Sequence, residues 1–185
     1  VALSTGNHGI CRVSASRWGR TETWRPDGQD FHFMRSGCHG TYTAASVLRD
    51  LSDVLALVNP DTVYVTAPGD CHGDHDALGR FTTQAVAAME NPPALYYYLI
   101  HADRADIWPK RDAERFRLPP MAADHPLLRC AAERRPLPDG FPPAEKYSLI
   151  QSYTSQDPAA YNGYLLAFAK NDELVFRVER LPSRT

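Results

Sequence analysis

The chain has 185 residues, a formal net charge of −2, a hydrophobic fraction of 43% and a charged fraction of 23%. This length and balance are typical of one globular domain with a core of its own, and they exclude an intrinsically disordered chain. The near-neutral charge predicts no surface for nucleic acid, and no apolar run approaches the roughly 20 residues that span a bilayer, so we expect no transmembrane segment.

The beginning of the chain and its cysteines bear on the compartment. No secretory signal pattern is visible, so we expect a cytoplasmic protein, with export left open. The chain begins without Met, in an apolar stretch, and we expect Val1 to be a truncation or processing point. No C-x-x-C pair occurs, which argues against a structural zinc ribbon. The disulfide state of the four cysteines stays open (Cys11, Cys38, Cys71 and Cys130).

The first third of the chain predicts one strand and one well-defined helix. Residues 1–5 predict a short strand, and residues 10–40 predict mostly loop with room for one short helix. Over residues 43–58 apolar side chains recur every three or four positions, which predicts a helix with one buried face. Thr41 or Thr43 can cap its start.

The middle of the chain predicts alternating strands and helices. Residues 62–66 are rich in β-branched side chains and predict a strand. A loop over 67–76 is followed by a helix, and residues 95–100 predict a further strand. The buried stripe of that helix is expected to consist of Leu78, Phe81, Ala85, Val86 and Met89. This order of elements indicates an α/β sheet with largely parallel strands.

The last part of the chain is expected to be a long loop followed by short elements. Residues 102–143 hold eight of the fifteen prolines, which predicts an extended loop with little helix. Loops of this length are usually functional, so we expect this one to wall a substrate pocket and set specificity. Residues 144–155 and 161–169 predict two helices, and residues 174–176 predict a closing strand. The whole chain is therefore expected to be a single domain.

Side chains that bind metals or move protons are concentrated in the loop at 67–76. Three carboxylates and two imidazoles lie within seven residues, namely Asp70, His72, Asp74, His75 and Asp76. Ligands bind at the carboxyl ends of strands in open α/β sheets. His75 can point a ring nitrogen at a metal ion, while Asp74 or Asp70 can hold the second nitrogen of a neighbouring imidazole. A solvated polar loop in which Asp74 caps the helix is the competing interpretation.

The string TVYVTAPGDCHGDHDALGRF resembles the second motif of the LmbE/PIG-L family of zinc-dependent N-deacetylases, in which His-x-Asp-His follows a strand and opens a helix. VALSTGN is similar to the family's second strand with its Thr-Gly turn, and EKYSLIQSYTSQ is similar to a later helix that ends in Ser-Gln. The likeness covers residues 1–7 and 43–157. It implies a Rossmann-like, three-layer α/β sandwich with a mostly parallel sheet.

The resemblance also implies an activity and a set of roles. The enzyme would remove an N-acetyl group from an N-acetylglucosamine-type small molecule. Zn²⁺, bound by His75, would polarise the carbonyl and activate the attacking water. His72 would stabilise the oxyanion or protonate the leaving amine, and Asp74 would orient His72. Arg17 follows the Thr-Gly turn, where family members place a substrate-contacting Arg, and a solvated Arg is the alternative.

His101 ends a strand at the same sheet edge, and we expect it to line the substrate pocket. A half-buried histidine without a role in the site is the alternative. His32 and His39 are expected to lie on the surface. Nothing in the sequence fixes the oligomeric state.

One motif of the family does not occur in these 185 residues. This motif, His-Pro-Asp-Asp, supplies a second zinc His, a zinc Asp and the general-base Asp in the family. The nearest string, from Asp124 to Leu127, lacks both carboxylates after the proline. We therefore expect an N-terminally incomplete domain, without its first strand and helix, and the activity of this chain by itself stays open.

Two rival functions remain. A non-catalytic sugar-binding domain, or an inactive fragment of the same fold, would explain the missing motif. A metallo-β-lactamase-like hydrolase is the second rival, because its His-x-His-x-Asp-His motif also follows a strand. In this chain Asp70 occupies the position of that motif's first histidine.

Overall fold

A computed structural model describes residues 3–5, 11–13, 21–23, 30–102, 108–154 and 163–182. The strands are β1 (Leu3–Thr5), β2 (Cys11–Val13), β3 (Thr62–Thr66), β4 (Ala94–Tyr98), β5 (Ala131–Pro136) and β6 (Asp172–Arg177). The helices are α1 (Phe31–Ser36), α2 (Ala44–Val58), α3 (Gly73–Ala88) and α4 (Pro143–Gln151). Two short 3-10 helices occupy Pro126–Arg129 and Leu165–Phe168.

The main sheet has four strands in the order β3-β4-β6-β5. The pair β3–β4 is parallel, with Tyr64 opposite Tyr96, whereas β4–β6 and β5–β6 are antiparallel. β1 and β2 form a separate antiparallel pair. The protein is therefore mixed α/β as expected, but the expected mostly parallel sheet is not confirmed, because one of the three pairs in the four-stranded sheet is parallel.

The strand that departs from a parallel sheet is β6, which runs antiparallel to both of its neighbours, β4 and β5. β5 is a strand that the sequence did not predict, because it lies inside the expected loop at 102–143. Its sequence, AAERRP, offers no apolar run, and its residues alternate between half-buried and exposed. Such a polar edge strand is held by backbone pairing with β6 rather than by burial of its own side chains. The rest of that segment, as far as the structure describes it, contains the 3-10 helix Pro126–Arg129 and otherwise irregular backbone.

The helix predicted at 43–58 is confirmed as α2. The Thr43 side chain accepts a hydrogen bond from the Ser46 N–H at 3.2 Å, which satisfies one donor that the first turn would leave unpaired. Asn59 ends the helix in the left-handed conformation with φ of 46°. Leu55 is the buried residue of α2 and packs with Ala85 and Val86 of α3.

The helix expected after the loop at 67–76 begins within that loop, at Gly73, so the predicted loop is too long at its end. This helix, α3, forms one layer over the sheet. Phe81, Ala85 and Val86 are buried as expected, but Leu78 is 38% exposed and does not belong to the buried stripe. The Tyr97 hydroxyl of β4 and the Thr83 hydroxyl of α3 lie 2.5 Å apart, so the odd-numbered face of β4 faces this helix. The main core joins the sheet to Trp108, Phe116 and Leu127 of the proline-rich segment.

The closing elements follow the prediction in part. The helix expected at 144–155 is shorter, ending at Gln151, and buries no residue. The helix expected at 161–169 is present as the 3-10 helix Leu165–Phe168, and residues 155–162 lie outside the described part of the chain. The closing strand is confirmed as β6. Among the described helices, none is both long enough and apolar enough to cross a membrane.

Candidate functional site

The site is built where two parallel strands end side by side. Thr66 at the end of β3 lies opposite Tyr98 at the end of β4, so the loops that leave these strands start next to each other. Two backbone hydrogen bonds join the loops: the Ala67 N–H donates to the Tyr98 carbonyl at 2.8 Å, and the Cys71 N–H donates to the His101 carbonyl at 2.9 Å. Residues 30 positions apart in sequence thereby become neighbours.

Three histidines cluster at this edge. The ring centroids of His72 and His75 lie 4.6 Å apart, and the His101 ring lies 5.6 Å from the first and 5.3 Å from the second. His72 is exposed, whereas His75 and His101 are half-buried. Sequence reasoning placed His72 and His75 together because they are close in the chain, and placed His101 nearby because strand ends of a parallel pair meet at one edge.

The buried carboxylate of Asp70 connects the two loops that carry these histidines. Its Oδ1 accepts the His72 N–H at 2.9 Å, and its Oδ2 accepts the N–H groups of Ile100 and His101, both at 3.0 Å. The side chain of Asp70 is fully buried, and His75 Nδ1 lies 3.3 Å from its Oδ1. Burial by itself raises the pKa of Asp70, but the contact with His75 and the three backbone N–H groups outweigh it, so its pKa lies below the usual value.

The contact between Asp70 and His75 is close without being a regular hydrogen bond. His75 Nδ1 is buried and has no partner of hydrogen-bond geometry. A separation of 3.3 Å from a carboxylate oxygen is nevertheless within the range of an ion pair. The sequence suggested Asp74 or Asp70 as the partner of an imidazole, and the structure places Asp70 in that position for His75.

Asp74 and Asp76 both lie in the first turn of α3, where their charge complements the positive end of the helix dipole. Asp74 is half-buried, and its expected role in orienting His72 stays a prediction. Asp76 is buried and has a structural contact on each side. It accepts the Gly69 N–H at 2.7 Å and the Arg80 Nε–H at 3.0 Å. The hydrogen bond from the Gly69 N–H fixes this glycine, whose φ of 92° favours glycine.

Tyr164 is a member of the site that sequence reasoning missed. Its ring stacks on His101 with centroids 5.4 Å apart, and its hydroxyl donates to the Ile100 carbonyl. Tyr164 comes from a distant part of the chain, so no local pattern could have indicated this contact. Ile100 is thus held on both sides, by the Asp70 carboxylate at its N–H and by Tyr164 at its carbonyl.

His125, in the string nearest to the missing motif, contacts this loop but belongs to its framework. Its Nδ1 accepts the Leu127 N–H at 3.2 Å, and its Nε2 donates to the Gly69 carbonyl at 3.2 Å. Both ring nitrogens are therefore engaged in hydrogen bonds to backbone. The ring supports the turn at Gly69 and has no nitrogen left for a metal ion.

The remaining histidine predictions have different outcomes. His32 was expected at the surface, which is wrong: it is 6% exposed, and its Nδ1 lies 2.6 Å from Asp50 Oδ1. His39 is half-buried rather than fully exposed, and its Nδ1 contacts Asp30. Both rings pair with carboxylates that no sequence pattern near them indicates. Arg17, the predicted substrate contact, lies outside the described residues.

A cavity of about 330 Å³ is lined in part by Tyr98, Leu99 and Ile100, the three residues that precede His101 in the chain. Ile100 belongs both to its lining and to the backbone held by Asp70. Most of its walls are aromatic or aliphatic, and Arg135 and Glu173 are its charged residues. Small-molecule sites typically combine apolar walls with a few polar groups in this way.

The residues that the structure describes include no group of three His, Cys, Asp or Glu side chains arranged to hold a metal ion. His75 Nδ1 is buried and faces the Asp70 carboxylate. Comparisons with protein-family models, with curated proteins and with solved structures find no match for this chain.

Proposed function

We propose that this protein is a zinc-dependent hydrolase that removes an N-acetyl group from an N-acetylglucosamine-type small molecule, as the resemblance to LmbE/PIG-L deacetylases implies. The observation that carries the proposal is the gathering of His72, His75 and His101 over the buried Asp70. This group lies at the carboxyl ends of a parallel strand pair, the usual place for a site in an α/β sheet.

The proposal includes a Rossmann-like fold for the domain. β3, α3 and β4 form a strand-helix-strand unit with parallel strands, which is the building block of a Rossmann-like sandwich. We propose that the complete domain is an LmbE-like three-layer sandwich in which this unit belongs to a larger, mostly parallel sheet. The compartment we propose is the cytoplasm.

Each residue of the site would have a separate role in this hydrolysis. His75 would bind the metal ion. When bound, zinc supplies a Lewis acid that polarises the acetyl carbonyl and lowers the pKa of a water molecule. The exposed His72 ring would donate a hydrogen bond to the developing oxyanion or a proton to the leaving amine, with Asp74 orienting it. Arg17 and His101 would contact the sugar, and the segment 102–143 would wall its pocket.

His75 fits the part of a zinc ligand on an observation independent of any family. Its Nδ1 is buried against Asp70, an arrangement in which a carboxylate orients an imidazole whose other nitrogen binds the metal. A catalytic zinc site takes three protein ligands. The proposal therefore requires two further ligands from residues outside the described ranges or from another polypeptide.

A non-catalytic sugar-binding domain is the second candidate. It is favoured by the finding that no three side chains in the described part of the chain form a metal-binding group. Such a domain would bind an N-acetylated sugar in the presence of a chelator, whereas the hydrolase would need its zinc for turnover. Titration with N-acetylglucosamine, with and without EDTA, separates the two candidates.

The zinc content of the purified chain tests the first proposal. If the two further ligands lie within this chain, we expect near-stoichiometric zinc by elemental analysis in wild type and a loss of most of it in His75→Ala, because the variant removes a direct ligand. If they lie in another polypeptide, we expect weak metal binding and little activity of this chain by itself. The matched control is His39→Ala, which removes a histidine paired with Asp30, away from the cluster. Intact mass measured on the same sample should agree with 20.7 kDa.

Zinc retained in His75→Ala contradicts the proposed role of His75, and no zinc in wild type contradicts an active metalloenzyme formed by this polypeptide alone. In the hydrolase case, release of acetate from N-acetylglucosamine should follow the zinc content across the three proteins. Sugar binding without zinc and without acetate release would support the binding domain instead.

A further inference from the structure

We propose that Asp70 is a positioning residue that fixes the neutral His75 ring with its proton on Nδ1, so that the lone pair of Nε2 is the one offered to a metal ion or substrate. The sequence leaves the carboxylate partner of the imidazole open between Asp74 and Asp70, and it does not indicate which ring nitrogen carries the proton. The use of Nε2 for zinc rests on the proposed function, whereas the position of the proton follows from the contacts of the two side chains alone.

The atoms that face each other determine where the ring proton lies. His75 Nδ1 lies 3.3 Å from Asp70 Oδ1 and is buried, with no other partner. An ionised carboxylate can only accept hydrogen bonds. If Nδ1 carried no proton, two lone pairs would face each other away from water, at the full cost of an unsatisfied buried acceptor. A proton on Nδ1 turns the same contact into attraction.

The Asp70 carboxylate cannot turn away from His75. Three backbone N–H groups donate to it from two separate loops, those of His72, Ile100 and His101, at 2.9 to 3.0 Å. Three N–H donors favour its ionised form and fix the direction of both oxygens. The His75 ring, rather than the carboxylate, must therefore move for the 3.3 Å contact to become a regular hydrogen bond.

The accessible side of the His75 ring is the one opposite Asp70. The His75 side chain is 28% exposed although its Nδ1 is buried, so its accessible part lies away from Asp70. The hydrogen bond made by one imidazole nitrogen decides which nitrogen is left to bind a metal. The rings of His72 and His101 lie 4.6 and 5.3 Å from the His75 ring, so Nε2 is the nitrogen left for chemistry within the cluster.

The variant Asp70→Asn makes the inference testable because its amide has a predictable orientation. At the Oδ2 position an NH₂ group would face two backbone N–H donors, whereas at the Oδ1 position it would face one. The amide nitrogen should therefore occupy the Oδ1 position, where it donates to His75 Nδ1. The proton of the ring should move to Nε2.

The experiment is long-range ¹H–¹⁵N NMR of the imidazole rings, recorded at increasing pH until the spectrum no longer changes, so that the neutral rings are observed. The His75 signals are assigned by their loss in His75→Gln. We expect Nδ1 to carry the proton in wild type and Nε2 to carry it in Asp70→Asn. The matched control is Asp76→Asn, a buried carboxylate one residue after His75 that holds Gly69 and Arg80 and should leave the ring unchanged.

A second readout connects the tautomer to the proposed metal. Loss of a carboxylate that orients a metal-bound imidazole typically weakens metal affinity about 10- to 100-fold. We expect a loss of that size for Zn²⁺ in Asp70→Asn and none in Asp76→Asn, measured by titration calorimetry with zinc alone.

The outcomes separate the two proposals. A wild-type His75 protonated on Nε2 overturns the inference, even if the protein binds zinc. A proton on Nδ1 in a protein that binds no zinc supports the positioning role of Asp70 and contradicts the metalloenzyme. Because the wild-type spectrum alone locates the proton, the inference stays testable even if Asp70→Asn fails to fold.

Discussion

Buried carboxylates in this protein bind backbone N–H groups of loops that are distant in sequence. Asp70 connects the β3 loop to residues 100 and 101, and Asp172 of β6 accepts the Phe116 N–H at 2.9 Å. Asp172 is 4% exposed and also contacts the Arg134 guanidinium of β5 at 3.0 Å. A buried charge is tolerated only when it is paired and hydrogen-bonded in this way, so each such aspartate should be costly to remove.

Asp172→Ala should lower the free energy of unfolding by about 2 kcal/mol, measured by urea denaturation. The variant leaves a buried N–H of Phe116 without an acceptor, which costs about 1–3 kcal/mol. The Arg134 side chain is 46% exposed, so water replaces most of its lost interaction.

Glu133→Ala is the matched control, because Glu133 forms a more exposed ion pair with Arg135 on the same sheet at 3.1 Å. Exposed pairs contribute about 1 kcal/mol or less. Equal losses in the two variants would show that the Phe116 N–H finds another partner and that Asp172 does not anchor the loop.

Helix α3 approaches the end of β3 so closely that one position of the helix, Gly79, has no room for a side chain. A Cβ atom at Gly79 would lie 2.4 Å from the Thr66 carbonyl oxygen and 2.8 Å from the Pro68 nitrogen. Both are backbone atoms, which cannot rotate away as a side chain could. The Thr66 hydroxyl in addition donates to the His75 carbonyl at 2.9 Å, so the same contact holds the first turn of α3.

Gly79→Ala should therefore destabilise the protein although alanine favours helix. Forcing extra atoms into a packed contact typically costs about 1–3 kcal/mol, against about 1 kcal/mol gained from helix propensity. We expect a net loss of unfolding free energy together with a shift of the His75 ring signals in NMR spectra. Gln84→Ala, at an exposed position of the same helix, should change neither quantity; a stabilised Gly79→Ala would show that α3 is free to move off β3.

The elements that sequence patterns predicted well are those that bury side chains with a regular period. α2 and β3 match the predicted ranges to within one residue, since apolar periodicity and β-branched side chains are local properties. β5 was missed because an edge strand of Ala, Glu and Arg is defined by its pairing with β6. No local pattern reports a pairing partner about 40 residues away.

The same distinction applies to the candidate site. His72, Asp74 and His75 are neighbours in sequence and could be recognised together, and His101 followed from the ends of two strands. Tyr164 is brought to the site by tertiary packing alone. The position of Asp70 under His75, rather than Asp74, depends on the backbone geometry of the loop, which residue types do not encode.

Two apolar clusters, linked by residues that pack against both, hold the helices to the sheet across the molecule. The larger cluster contains Leu95, Tyr97 and Phe176 from the two interior strands, and the smaller one joins α2 to α3. Val63 and Leu181 pack against both clusters. The interior strands β4 and β6 are paired on both edges, so opening them requires the loss of core contacts and of two sets of backbone hydrogen bonds.

Hydrogen exchange should therefore be slowest in β4 and β6 and faster in α4, which buries no residue. Mass spectrometry of the native protein should show the slowest deuterium uptake in peptides that cover residues 94–98 and 172–177. Peptides covering 143–151 should exchange by local opening, at rates that depend little on mild denaturant. If α4 instead exchanges as slowly as the interior strands, its exposed face is covered in solution, by another part of the protein or by a second copy. Repeating the measurement across a dilution series separates these cases, because protection by a second copy falls with protein concentration.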